Sequence, residues 1–275
     1  MKNLNVYHSV KLVEHADTEG TLSRNISNHQ WLIDECTRQG VYEYYKNNIL
    51  NNSPIVFVFG NFDDEKVTSL CKKYLLKDEV ISYDEDYNHF LEPRDEVNVV
   101  DEKSDFKDSA LSMVYKVKDM TENDFHKLTL VNGLLSSASS RLLMKKLRDE
   151  EEIVYSAFSS SNMRAGILFI DCYINKNNKD LAISKIKEVM ESLKNPEFIK
   201  PFLDNIIERS RLNLLRLLDD KNILLDEVVV KTLGFDITNK EKYELIKNMS
   251  SEEISEFMNR LVLDTVYFLE EEEHE

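Results

Sequence analysis

Three cysteines in 275 residues, Cys36, Cys71 and Cys172, are too scattered and odd in number to make a disulfide framework or a zinc-type pairing. They read as reduced thiols, and the expected location is cytoplasmic. Glycine (6) and proline (4) are scarce, so tight turns are few and helices should be long. No apolar run reaches the ~20 residues that a membrane-crossing helix needs. The opening segment MKNLNVYHSVKLVEH has neither an apolar core nor a small-residue cleavage site, which argues against secretion. No glycine-rich loop is present to cradle a phosphate, so nucleotide binding has no support. Positive charge is also in deficit. Lys and Arg total 35 against 51 Asp and Glu, a net charge of −16. That excess repels nucleic acid and anionic membrane, so neither is an expected partner.

The chain does have enough apolar residues, 42%, to build a core. Val6, Val10 and Val13 predict a short helix over 5–16. Residues 31–50 return to helical spacing, with Gly40 a candidate break. The run PIVFVF at 54–59 is continuously apolar and rich in β-formers, and it reads as a buried strand. Asp63 then caps a helix over 63–75. Residues 77–96 are acidic, aromatic and without period, and they read as a linker. Strands follow at 97–100 and 110–117, the second with one face more buried than the other. A helix from 121 to about 148 leads into a hairpin of strands at 153–159 and 166–174. An amphipathic helix over 178–194, a long helix over about 202–233 with Gly234 as its cap, two short helices and a strand at 265–269 complete the pattern. Ser250 and Glu253 form a capping box, and the acidic tail reads as disordered. Hairpins and helices mix without βαβ alternation. The fold class is therefore α+β, a mainly antiparallel sheet covered by helices on one face.

The most informative stretch is RLLMKKLRDEEEIVYSAFSSS, from Arg141 to Ser161. A helix-forming run ends at 148–152 and a strand starts at Ile153. Arg148 and Tyr155 thus flank a helix-to-strand corner and can face the same space. Such a pair can grip a backbone carbonyl or the oxyanion formed from one. The blander reading pairs Arg148 with the acids at 149–152 and gives the Tyr155 hydroxyl a local partner. Those four consecutive acids cannot all face one cleft, so they read as a solvated helix end. The serines at 136–140 and 159–161 lack a G-x-S-x-G context and an identifiable His, so they are not nucleophiles. His126 reads as a structural histidine and Cys172 as core.

LRDEEEIVYSAFSS resembles the LRxxxxLxYxxxS segment in the second domain of insulinase-type zinc peptidases, the family of pitrilysin and mitochondrial processing peptidase. There an Arg and a Tyr seven positions apart lie over the active site of the paired domain, and Arg148 and Tyr155 keep that spacing. VYEYYKNNILNNSPIVFVFGNFDDEKVTSLCKKYL resembles the close of the family's first domain. NKEKYELIKNMSSEEISEFMNRLVLDTVYFL resembles the end of the second. The resemblance implies a processing-peptidase-like half, with residues 1–92 a remnant of a first domain plus linker and 93–275 a complete second domain.

Active members of that family carry H-x-x-E-H, which sets two histidines on one helical face as zinc ligands with the Glu as general base. None of the six histidines here, His8, His15, His29, His89, His126 and His274, forms that motif or its reverse. The resemblance therefore implies no metal ligands and no cofactor in this chain, with zinc expected only on a partner half. The chain alone then has no complete catalytic set. The function that follows is peptide binding, completion of a zinc-bearing half's active-site chamber, or both, with Arg148 and Tyr155 as donors to the substrate carbonyl. An exposed sheet edge could hold the peptide by strand addition. The alternative is a structural or interaction protein with no role in proteolysis. The apolar run at 54–59 needs a sheet for its backbone groups. Pairing with the second domain, with a second copy or with a partner half is therefore expected.

Overall fold

The computed structural model describes residues 4–17, 20, 22, 30–51, 54–75, 88–137, 140–217, 220–233 and 237–271. Five strands form one sheet: β1 (Asn98–Ser104), β2 (Ser109–Val117), β3 (Val154–Asn162), β4 (Ile167–Ile174) and β5 (Leu261–Glu271). Their order is β1-β5-β2-β4-β3. β1 runs parallel to β5, and every other neighbouring pair is antiparallel. The α+β class and the mainly antiparallel sheet are as the sequence implies. In the β3–β4 turn, Gly166 has φ +70° and a Cβ there would lie 3.1 Å from Met120 Cγ, so only glycine fits comfortably.

The helices are α1 (Leu4–Ala16), α2 (Gln30–Glu35), α3 (Arg38–Tyr45), α4 (Asp64–Tyr74), α5 (Phe125–Ser136), α6 (Leu142–Met144), α7 (Lys179–Ser192), α8 (Pro196–Leu217), α9 (Lys221–Thr232), α10 (Asn239–Lys247) and α11 (Ser251–Met258). The main core lies between the front of the sheet and the layer containing α5, α7, α8 and α11. Leu111, Met113, Ile170 and Phe268 meet Leu134, Ile186, Leu203 and Phe257 there. α1 crosses the opposite face of the sheet. Leu12 and Ala16 pack there with Leu91, Val114, Ile167 and Tyr267. This second cover explains why all nine residues of β2 are buried, where alternation in the sequence predicts one wetter face.

Several boundaries differ from expectation for local reasons. The helix predicted over 121–148 is interrupted after Ser136. Ser137 turns extended, and Arg141 adopts a left-handed φ of 44° before α6 and a π-helical turn at Lys145–Glu150. Thr37, whose hydroxyl accepts from Gly40 N–H, starts α3 and breaks the predicted 31–50 helix. The long helix predicted over 202–233 is two helices, α8 and α9, with Asp220 capping the second. Gly234 and the tail beyond 271 lie outside the described residues. Part of the predicted linker is structured: His89 and Leu91 donate backbone bonds to Arg164 and Ala165, and Leu91 is buried. Residues 77–87 of that linker lie outside the described residues.

The largest difference concerns residues 54–59. They form no ladder and make no hydrogen bond to another described residue, and Ile55, Val56, Val58 and Phe59 are exposed. The physical reason is that no strand among the described residues neighbours them, and a β-rich run without one cannot pair its backbone. α3 and α4, on either side, likewise leave Val41, Tyr44, Leu70 and Tyr74 exposed.

Candidate functional site

The corner is built from the π-helical turn Lys145–Glu150 and the start of β3. Leu147, buried in the core, accepts a 2.9 Å bond from Ile153 N–H and pulls the chain round. Glu152 sits in the left-handed region at φ 56°, which reverses the direction. Two lysines brace the turn. Lys146 Nζ lies 3.2 Å from Glu150 and 3.3 Å from Glu151, and Lys185 Nζ of α7 lies 3.2 Å from Glu151. These contacts hold the Glu151 carboxyl below its usual range, Lys185 first and Lys146 second. The acids at 149–152 are thus a lysine-braced helix end.

Arg148 points from this turn into solvent, as an exposed side chain. Tyr155 is 61% exposed. Val154 pairs with Ile174 and Ser156 with Tyr173, so Tyr155 is the extra residue of a β-bulge. A bulge re-aims its side chain away from the strand's alternation, and nothing in the sequence announces it. No hydrogen bond or ring contact joins Arg148 to Tyr155, and neither has a partner among the described residues. Both donors are therefore presented outward from one corner with their hydrogen-bonding capacity unspent.

The edge of β3 beyond the bulge is closed. Ala157 N–H donates to Met144 Sδ at 3.1 Å, and Ser159 N–H donates to Ser136 Oγ at 2.5 Å. Ser159 Oγ bonds Asn132 Oδ1 at 2.6 Å. A peptide strand would have to displace these side chains, a common way of blunting a sheet edge. The edge without a strand neighbour or such covers among the described residues is β1, on the far side of the sheet from Tyr155. The open edge and the Arg148/Tyr155 pair therefore lie on opposite sides of the sheet. The serines at 136 and 159 are structural, and Cys172 is buried in the core.

A cavity of about 310 Å³ opens behind the same corner, between the π-helical turn, α7 and α8. Leu142, Val189, Phe198 and Phe202 give it an apolar floor, with Lys145 and Glu150 at its rim. Neither Arg148 nor Tyr155 lines it. Among the described residues, no group of three or more His, Cys, Asp or Glu could hold a metal ion. The described side chains therefore do not fit a zinc centre. No helix among the described residues is long and apolar enough to cross a membrane.

Fold and site define a helix-backed α+β unit with an exposed Arg/Tyr corner and no metal-ligating cluster among its described residues. Residues 35–207 match the family described as the Peptidase M16 inactive domain, and the chain belongs to that family. A curated relative, the probable inactive metalloprotease YmfF of Bacillus subtilis (strain 168), is 24% identical over 265 residues. The alignment covers 96% of this chain and 62% of the relative. A conserved protein from Enterococcus faecalis V583 superposes with a TM-score of 0.81 at 19% identity, over 100% of this chain and 65% of that one. A peptidase M16 inactive domain from Pseudomonas fluorescens gives 0.66 at 13% identity, over 98% and 65%. The chain thus spans less than two thirds of the length of each of these proteins. The two structural likenesses show the fold. The insulinase-like resemblance read from the sequence is the family found.

Proposed function

We propose that this chain is a non-catalytic insulinase-like half that binds extended peptide and completes the active-site chamber of a zinc-bearing partner half. The observation that carries the reading is the corner itself. An Arg and a Tyr seven residues apart are held at the end of a braced turn and at a bulge, exposed and with no internal partner. Facing a bound peptide, the Arg148 guanidinium and the Tyr155 hydroxyl donate hydrogen bonds to a backbone carbonyl oxygen. Their contribution grows as negative charge develops on that oxygen in a site closed to water. The metal and the general base belong to the partner. Residues 54–59 support the same reading, because a partner that supplies a neighbouring strand would satisfy their backbone and cover their side chains.

The test is reconstitution with a candidate catalytic half, with peptide hydrolysis and complex formation measured separately. Arg148→Ala is expected to lower turnover by about 10²–10³-fold, the cost of removing one oxyanion donor, with assembly unchanged. Unchanged turnover in an intact complex would overturn the role of Arg148. Metal-dependent hydrolysis by this chain alone would overturn the whole proposal.

The closed edge of β3 favours a second reading, an interaction protein with no part in proteolysis. Under that reading the apolar surface of residues 33–75 is the functional surface, and Arg148→Ala changes nothing in the reconstituted complex.

A further inference from the structure

α1 is fastened to the rear of the sheet by a buried polar chain that the proposed function does not use. His8 Nε2 lies 3.2 Å from Ser112 Oγ, and Ser112 Oγ–H donates to Asp171 Oδ1. The three residues come from α1, β2 and β4, and they are 2%, 0% and 9% exposed. The His8 ring also packs on Tyr267 of β5 with centroids 5.3 Å apart. We propose that His8, Ser112 and Asp171 form a proton-sharing latch that keeps α1 docked with nearly constant affinity from neutral to mildly acid pH.

The hydroxyl in the middle is what allows this. With Asp171 ionised, Ser112 donates to it and accepts from His8 Nε2–H. When Asp171 takes up a proton, it donates to Ser112, whose own hydrogen rotates towards His8 Nε2, and the neutral ring then carries its single proton on Nδ1. If His8 takes the proton instead, it remains a donor through Nε2. Both bonds survive in each state, because a hydroxyl can donate and accept at once.

The two ends titrate in opposite senses. Burial pushes His8 down from 6.5 to about 4. Holding it neutral therefore weakens docking as pH falls below the ordinary imidazole value. Burial pushes Asp171 up from 3.8 to about 6, with the Ser112 bond opposing. Its ionised form therefore weakens docking above about 6, and that strain is relieved as pH falls. The windows overlap and the effects offset each other.

Other titratable groups at this face are engaged elsewhere. Tyr7 of α1 and Tyr267 of β5 both donate to Glu102 of β1. Lys11 and Glu14 pair at 2.9 Å, and the His15 ring lies against Tyr267. Burial and then the Asp171 charge push the Tyr173 hydroxyl of β4 up. Arg94 and Lys116 are bound to Asp264.

The experiment is hydrogen exchange on the full chain between about pH 7 and about pH 4.5, with α1 protection compared with that of β2 and β4 as an internal control. In the wild type, α1 protection should change no more than a few-fold. His8→Phe keeps a ring against Tyr267 and leaves Asp171 to act alone, so α1 protection should rise on acidification by on the order of tenfold or more. Asp171→Asn keeps an acceptor for Ser112 and leaves His8 to act alone, so protection should fall by a similar factor. Parallel profiles in the three proteins, or a steep wild-type change, would overturn the latch. Nuclear magnetic resonance titration of wild-type His8 gives an answer that does not depend on either variant folding. A midpoint near the ordinary imidazole value overturns the latch, and one well below it supports the latch.

Discussion

Lys116 Nζ stands 3.1 Å from Asp264 Oδ1, and both side chains are fully shielded from water. Arg94 binds the second oxygen, Oδ2, at 2.7 Å and donates to the His15 carbonyl at the end of α1 at 2.6 Å. One carboxylate thus ties β2, β5, the segment before β1 and the rear helix together. Removing one member of such a set leaves a buried charge uncompensated. Asp264→Ala should therefore cost about 3–5 kcal/mol in urea unfolding. Converting Lys116 and Asp264 together to apolar residues of similar volume should cost less, because the charge left without its carboxylate is then that of Arg94, which is 24% exposed and still donates to Thr265 and the His15 carbonyl. Equal losses in the single and double variants would show that packing, not charge, holds this point.

Ser136 closes the edge of β3 by accepting from Ser159 N–H. Ser136→Ala leaves that donor without its acceptor, which should cost about 1–3 kcal/mol in chemical denaturation. It should also speed amide exchange at Ser159 more than at Ile170, its partner in β4. Unchanged exchange at Ser159 would mean that water replaces the serine without loss and that the edge is more open than its geometry implies.

The Arg148/Tyr155 corner should behave differently. Neither side chain contributes a hydrogen bond to the fold, and Tyr155 is 61% exposed. Arg148→Ala and Tyr155→Phe should each shift stability by no more than about 0.5 kcal/mol. A loss above about 2 kcal/mol in either would assign that residue to the fold, because exposed positions without partners do not carry such energies.

Arg260 clamps Asp124 at the start of α5, with Nη1 and Nη2 each 3.0 Å from a carboxylate oxygen. Burial pushes the Asp124 carboxyl up, but the Arg260 and Thr121 bonds outweigh it and hold the group below its usual range. A depressed carboxylate contributes stability that is present above its unfolded value and lost as pH falls through the folded one. Arg260→Ala should therefore destabilise by about 1–3 kcal/mol near neutral pH. The gap to wild type should narrow in acid, below the ordinary carboxylate range, and not vanish, because Arg260 also donates to the Lys118 and Asp119 carbonyls. Thermal melts across pH would show this, and a gap independent of pH would remove Asp124 from the account.

Local chemistry was legible in the sequence where it is self-contained. The Ser250/Glu253 capping box, the Asp63 cap of α4 and the β3–β4 hairpin lie where their residues predict. The corner was legible as a position, since Arg148 and Tyr155 flank a helix-to-strand change. The bulge that aims Tyr155 was not, because it depends on how Ile174 and Tyr173 pair across β4. Nor was the rear cover of the sheet. Ser112 is 104 positions from His8 and 59 from Asp171, and the three meet only through the tertiary fold. PIVFVF misled in the instructive direction. Its composition specifies a strand, but composition cannot supply the neighbour that makes one.

Ile55, Val56, Val58 and Phe59 are exposed and have no hydrogen-bond partner among the described residues, and Tyr44, Leu70 and Tyr74 of the flanking helices are exposed too. Exposed β-rich runs without charge or proline in their interior tend to pair with another chain. The full chain should therefore associate in a concentration-dependent way, or bind a partner half through this segment. Val56→Pro removes a backbone donor and Val58→Lys adds charge, and each should reduce association strongly while leaving the unfolding of the sheet body unchanged. Sedimentation at several concentrations, alone and with a candidate half, measures both. A compact monomer at every concentration that also binds no candidate half would mean that residues 54–59 fold back within the chain. Protection of the Val56 and Val58 amides in that monomer would then show that they are hydrogen-bonded within the chain.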